Sequence, residues 1–227
     1  MQTSYKVFMY KVQSDDQTII NYSYVIVDKQ TNEAAIIDPA WNIEVFLDLF
    51  EKSNIKPKFI LLTHSHEDHV NLVTPLTELF DLNVYMSKTE IEHYNYTSKN
   101  LIAIEKDYQC INLGVTQIKC LNTPGHTAGS LSFLLSDSLF TGDTLFIEGC
   151  GLCAEGGSPY ELFHSIQKIK KHVSSDMKVF PGHSYGATPG CTFEYVLKNN
   201  LYCLIEDIES FVAFRTRKNQ INLFEFK

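Results

Sequence analysis

Apolar and polar positions alternate along this chain in short runs of two kinds. Runs rich in β-branched and aromatic residues predict strands at 5–12, 19–27 and 33–38. Asp15-Asp16 supplies a turn after the first, Asp28-Lys29-Gln30-Thr31-Asn32 a hairpin loop after the second, and Asp38-Pro39 stops the third. Over residues 43–50, Val45, Phe46, Leu49 and Phe50 fall at helical spacing, with Asn42 placed to cap. A strand at 58–62 follows Pro57. A helix is expected over 70–80, against Pro75, then a strand at 83–86 and a short helix at 88–94. Residues 97–109 are polar and carry no clear period. Further strands are predicted at 115–121, 130–135, 139–141 and 178–180. A helix over 159–172 has Pro159 in its first turn and Leu162, Phe163, Ile166 and Ile169 on one face. One or two closing helices cover 194–214. The pattern repeats loosely in two halves without a low-complexity linker. It predicts one domain over residues 1–227, of α/β class, with two sheets packed face to face and helices outside.

Composition narrows the classes. An apolar fraction of 44% and a charged fraction of 20% are those of a globular protein with a sizeable core. A net charge of −8 disfavours nucleic acid and anionic membrane as partners, since both need basic surface. No run approaches the ~20 apolar residues that cross a bilayer. The N-terminal residues lack an export signal, so the six cysteines are expected to be thiols of a cytoplasmic protein. Cys110, Cys120, Cys191 and Cys203 are expected to be buried as small apolar side chains.

The candidate chemistry lies at strand ends. Thr63-His64-Ser65-His66-Glu67-Asp68-His69 follows the apolar run Phe59-Ile60-Leu61-Leu62, where a loop can converge His64, His66, Asp68 and His69 on a small volume. Imidazole and carboxylate in that density suit zinc and other borderline metals. Three Gly-bearing turns, each after a strand-like run, add Gly125-His126, Gly142-Asp143 and Gly182-His183. Any one of these alone is an ordinary turn residue. Together they give five histidines and two aspartates, too many for one four-coordinate ion. They suit two metals sharing a carboxylate, about 3.5–4 Å apart, which activate water and polarise a substrate oxygen.

In this order, His64-Ser65-His66-Glu67-Asp68-His69, Gly125-His126-Thr127, Gly142-Asp143 and Gly182-His183 resemble the signature of the metallo-β-lactamase superfamily. The resemblance implies an αββα sandwich of two mixed sheets. It implies His64, His66 and His126 on one metal, Asp68, His69 and His183 on the other, and Asp143 bridging. Asp68 and Asp143 are then the catalytic carboxylates, and Asp38 resembles the family's acid that orients a ligand histidine. Two zinc ions are implied, with iron or manganese as alternatives.

Within the superfamily, Gly142-Asp143-Thr144-Leu145-Phe146, Gly149-Cys150-Gly151 and Gly182-His183-Ser184-Tyr185 resemble the glyoxalase II group, which hydrolyses thioesters. Leu152 stands where the glutathione-using enzymes carry a basic residue, and Ala154 replaces an aromatic one. The chain also stops short of their C-terminal helical segment. Residues 142–153 resemble most the stand-alone zinc-dependent hydrolases of trans-acyltransferase polyketide synthase clusters. The substrate implied is an acyl thioester on an acyl carrier protein, with Leu152, Cys153 and Tyr185 as candidate contacts. The alternatives are a glutathione thioesterase, a mononuclear iron sulfur dioxygenase and a non-catalytic metal-holding module.

Cys150 and Cys153 form a Cys-x-x-Cys without a βαβ context and are expected to line a loop near the site, not to act as a redox pair. His164 and His172 are expected to be solvated or to cap the C-terminal turn of their helix. Two basic clusters, Lys168-Lys170-Lys171 and Arg215-Arg217-Lys218, are expected to be solvated, each a candidate docking surface.

Overall fold

The computed structural model describes residues 3–153, 155–218 and 220. Eleven strands and eight helices are found among them. The first sheet runs β1-β2-β3-β4-β5-β6 and the second β11-β10-β9-β8-β7. In the first, β1 (Tyr5–Gln13), β2 (Ile20–Asp28) and β3 (Glu33–Ile37) form an antiparallel meander. Parallel crossovers then add β4 (Lys56–Leu61), β5 (Asn83–Ser87) and β6 (Leu101–Ile104). In the second, β7 (Gln109–Leu113), β8 (Thr116–Asn122), β9 (Leu131–Leu134) and β10 (Ser138–Gly142) are antiparallel, and β11 (Lys178–Pro181) joins β10 in parallel.

Strand alternation explains the layering. In β2, Tyr24 and Ile26 point between the sheets, where they meet Ile118, Phe133 and Phe140. Val25 and Val27 point the other way, under Phe46 and Phe50 of α1 (Glu44–Ser53) and Leu76 of α3 (Val73–Phe80). The outer face of the second sheet is covered by α5 (Pro159–His172) and α8 (Ile208–Arg215), through Leu162, Ile166, Ile169 and Phe211. The result is the expected αββα sandwich.

Most predicted elements stand, and the differences have local causes. The helix expected over 70–80 is two, α2 (Glu67–Val70) and α3, broken at Asn71-Leu72. The restart at Val73 puts Pro75 in the first turn, where a missing N–H costs nothing. The unassigned stretch 97–109 contains β6 and the start of β7. The closing helices are three, α6 (Phe193–Asn199), α7 (Leu201–Leu204) and α8. Asn42 accepts from the backbone N–H of Glu44 at 3.1 Å, although Ile43 is the N-cap residue. Cys120 and Cys203 are buried as expected, but Cys110 is exposed and Cys191 partly so. Cys110 lies on edge strand β7, whose alternation turns it outward while Ile111 faces the core. No helix among the described residues is long and apolar enough to cross a membrane.

Topology brings the chemistry to one edge. The C-terminal ends of β3 and β4 lie there with the start of antiparallel β2, and those of β8, β10 and β11 lie together in the other sheet. Backbone bonds stitch the sheets along that edge: Tyr22 N–H to Gly182 O at 2.8 Å, and Leu131 N–H to Thr63 O at 2.8 Å. The tight approach requires Gly142, at φ 48°, because a Cβ there would strike the Thr63 side chain.

Candidate metal centre

Two loops deliver three imidazoles to one point. Nε2 of His64 lies 3.0 Å from Nδ1 of His66 and 3.3 Å from Nε2 of His126, and Nε2 of His126 lies 3.0 Å from Nδ1 of His66. Beside them, Nε2 of His183 lies 3.2 Å from Asp68 Oδ2 and 3.5 Å from Asp143 Oδ2. Nε2 of His69 lies 3.4 Å from Asp143 Oδ1 and 3.8 Å from Asp68 Oδ2. The ligand atoms form three overlapping groups, His64-His66-His126, His64-His69-Asp143 and Asp68-His69-His183, each within 4.8 Å. All seven predicted metal residues therefore meet. The two sets share the ground around Asp143.

The opposite ring nitrogens set the tautomers. Nδ1–H of His183 donates to Ile20 O at 2.7 Å, and that of His126 to Leu152 O at 2.5 Å. Nδ1–H of His69 donates to Asp38 Oδ2 at 3.0 Å. Asp38 also accepts from Thr63 N–H at 2.8 Å and Thr63 Oγ1–H at 2.6 Å, and Thr63 Oγ1 accepts from Nδ1–H of His64 at 3.0 Å. Four imidazoles thus turn Nε2 inward, the atom a cation binds once any proton on it is released. Nε2 of His69 and Oδ1 of Asp143 are buried without a hydrogen-bond partner. Such orphaned atoms in an N/O donor set fit a metal, because a bound cation would satisfy both.

Charge divides the cluster. Burial drives His64 well below the ordinary imidazole pKa, lowers His66, and lowers His126 to about 4. Burial also pulls on His69 and His183, but Asp68 and Asp143 outweigh it, raising His183 and lifting His69 to about 10. Burial would raise Asp68, yet His69, His183 and Asn21 hold it far below the carboxylate range.

Several supporting residues escaped the sequence reading. Asn21 Nδ2–H donates to Asp68 Oδ2 at 3.1 Å while its Oδ1 accepts from Trp41 Nε1–H at 2.7 Å. Glu90, fully buried on α4 (Lys88–Tyr94), joins two ligand loops. Its Oε1 accepts from Ser65 N–H at 2.9 Å and Ser65 Oγ at 2.7 Å, its Oε2 from Thr127 Oγ1 at 2.8 Å and Gly129 N–H at 2.9 Å. Ser87-x-x-Glu90 has the spacing of a helix capping box, a visible signal. Ser87 caps the helix as that signal implies, but the Glu90 side chain serves the metal loops.

A cavity of about 570 Å³ opens over the cluster. Leu152, Cys153 and Tyr185 line it, with Tyr185 stacked on Phe146. Ala154 lies outside the described residues. Burial lifts the thiols of Cys150 and Cys153 to about 12 and about 11, so both stay protonated and poorly nucleophilic. His164 and His172 are exposed. The expectation of solvated basic clusters fails in part: Lys168 pairs with Asp107 at 2.6 Å, Lys170 donates to Cys203 O at 3.0 Å, and Arg215 is buried in the cavity wall. Each is drawn in by an acceptor that sequence distance concealed.

A model of the metallo-β-lactamase superfamily matches residues 18–183. The chain is 46% identical over 228 residues to the probable polyketide biosynthesis zinc-dependent hydrolase PksB of Bacillus subtilis (strain 168), covering 100% of both. It is 36% identical over 165 residues, 73% of this chain and 62% of the relative, to hydroxyacylglutathione hydrolase of Blochmanniella pennsylvanica. The metallo-β-lactamase structure from Staphylococcus aureus subsp. aureus COL shares the fold at TM-score 0.83 and 24% identity, over 96% of this chain and 68% of that one. With its fold and its cluster of imidazoles and carboxylates, this chain belongs to the metallo-β-lactamase superfamily and is a hydrolase of it.

Proposed function

We propose that this protein is a cytoplasmic zinc-dependent hydrolase of acyl thioesters, acting on acyl groups held by a carrier protein in polyketide biosynthesis. The observation that carries the reading is the meeting of five imidazoles and two carboxylates at the floor of a largely apolar cavity. In this reading His64, His66 and His126 would hold one zinc, Asp68, His69 and His183 would hold a second, and Asp143 would serve both. When bound, such ions activate water for attack and polarise an acyl carbonyl.

The chain's own residues position and exclude. The Nδ1–H bonds to Asp38, Thr63, Leu152 and Ile20 keep the ligand rings from turning. Asp68 stays ionised, so it orients the reacting water as a hydrogen-bond acceptor and does not act as an acid. No acid is needed at the other end, because a thiol of pKa about 8.5 leaves readily as thiolate. Leu152, Cys153 and Phe146 give the thioester an apolar wall, and Tyr185 stands beside it to hydrogen-bond the arm.

The full-length likeness to a polyketide biosynthesis hydrolase supports the carrier-borne substrate, and Leu152, in place of a base, weighs against glutathione. The test combines metal analysis with hydrolysis of one acyl group on pantetheine, coenzyme A, glutathione and carrier protein. Zinc at about two per chain and fastest turnover of the carrier-borne acyl group are expected. Preference for glutathione would overturn the substrate, and iron with oxygen consumption would favour a dioxygenase.

A further inference from the structure

The chain has only two arginines among its 19 basic residues, Arg215 and Arg217, and both line the cavity above the metal residues. Arg215 is 5% exposed. Its Nη1 donates to Tyr202 Oη at 2.9 Å and to Cys150 O at 3.4 Å, with Cys150 Sγ at 3.9 Å, and its Nη2 donates to Gln220 Oε1 at 2.9 Å. Nη1 of Arg217 donates to the same Tyr202 Oη at 3.3 Å and to Phe214 O at 2.5 Å, with the guanidinium 4.0 Å from the Phe214 ring centroid. Every one of these partners is neutral. Among the described residues neither arginine pairs with a carboxylate, in a chain of net charge −8.

Two guanidinium groups that converge on one phenol oxygen repel each other, and burial makes the missing anion more costly. Each group also offers five N–H donors in a planar fork suited to phosphate or carboxylate, and the neutral partners leave donors over. We propose that Arg215 and Arg217 form an anion-binding wall that takes the phosphate of a phosphopantetheine arm while its thioester lies at the metal centre.

This rests on the thioester reading and narrows its substrate. The cavity lining combines metal-binding residues, apolar side chains from Phe146, Leu152 and Leu201, and the arginine pair. A phosphopantetheine thioester carries groups of the same three kinds: a reacting carbonyl, a neutral amide arm and one phosphate. Glutathione carries two carboxylates and an ammonium instead. The Glu148 carboxylate, also in the lining, accepts at Oε1 from Tyr195 Oη–H at 2.8 Å and Ala187 N–H at 3.1 Å and forms no ion pair with either arginine among the described residues.

The test is calorimetric binding of S-methyl phosphopantetheine and S-methyl pantetheine to the full-length, metal-loaded protein, the blocked sulfur preventing thiolate ligation. The phosphorylated ligand is expected to bind at least about tenfold tighter, and Arg217→Gln to bring that ratio near one, with Arg217→Lys between. Unchanged thermal unfolding of the exposed-site variant R217Q would separate lost binding from lost fold. Equal binding of the two ligands to the unsubstituted protein, or a ratio that survives in R217Q, overturns the proposal. Tighter binding of S-methyl glutathione, lost in R217Q, would replace phosphate by carboxylate and overturn it too. Coenzyme A and carrier-borne arms, compared next, separate the two sources of the same phosphate. Binding needs no turnover. A phosphate preference without thioester hydrolysis would leave this wall standing and remove the thioester reading, and hydrolysis without the preference would do the reverse.

Discussion

Oδ2 of Asp38 lies 3.0 Å from Nδ1 of His69 and 2.6 Å from the hydroxyl of Thr63, which in turn meets Nδ1 of His64 at 3.0 Å. One buried carboxylate therefore sets the tautomer of two imidazoles, one in each proposed metal site. Asp38→Asn would turn an amide N–H or a rotated oxygen toward these donors and satisfy at most part of them. Metal affinity should fall by about 10–100-fold, as for other groups that orient metal ligands. Competition against a chromophoric chelator measures this. Retained affinity in D38N would mean that the rings are fixed by packing alone.

Glu90 ties the His64-Ser65-His66 loop to the His126-Thr127 loop through four hydrogen bonds from Ser65, Thr127 and Gly129. Glu90→Ala would strand these donors in a buried space. A loss of about 3 kcal/mol of stability is expected, since bonds to charged groups are each worth about 1.5–3 kcal/mol and rearrangement recovers some. For a chain of this length that lowers the melting temperature by about 6–12 °C. Thermal unfolding by circular dichroism reads it, and a shift below about 2 °C would mean the loops hold without Glu90.

The sequence made the strand ends legible because a buried strand followed by a glycine turn and a histidine leaves a strong local signal. It also singled out the seven residues that meet in the cluster, four of them within six positions of one loop. What it hid was carried by contacts distant in sequence. Asn21, at the start of β2, reaches Asp68 only because β2 runs antiparallel to β3. Arg215 looked like part of a solvated helix face, and it is buried because Cys150 and Tyr202 supply acceptors inside. β6 was invisible for a different reason: its four residues, Leu101–Ile104, are too few to establish a period.

Gly182 tests how tightly the cluster is packed. A Cβ on it would lie 2.5 Å from His69 Cε1 and 2.6 Å from Asp143 Oδ1. Its φ is not in the left-handed region, so Gly182→Ala carries no backbone strain and strikes only those two side chains. The variant should fold, with a stability loss of about 1–3 kcal/mol from overpacking. Metal content after dialysis should drop well below that of the unsubstituted protein. Full metal loading in G182A would show that His69 and Asp143 can move without losing the site.

Protons and cations compete for the same ring nitrogens, and the two histidine sets hold protons differently. Asp68 and Asp143 overcome burial to raise His69 to about 10, so the metal-free protein carries that proton at neutral pH. Metal uptake at the set containing His69 must release it, and affinity there should rise by about tenfold per pH unit from neutrality toward pH 10. Burial lowers His126 to about 4, so its set is proton-free over the same range and its affinity should be nearly flat. In the metal-free protein the raised pKa also favours the fold. That contribution is complete below the ordinary imidazole pKa and is lost as pH climbs through about 10. Titration with zinc in weakly buffered solution, followed by calorimetry at several pH values, should resolve one proton-releasing uptake and one that is nearly proton-neutral. Two uptakes with the same pH slope would contradict this division of charge.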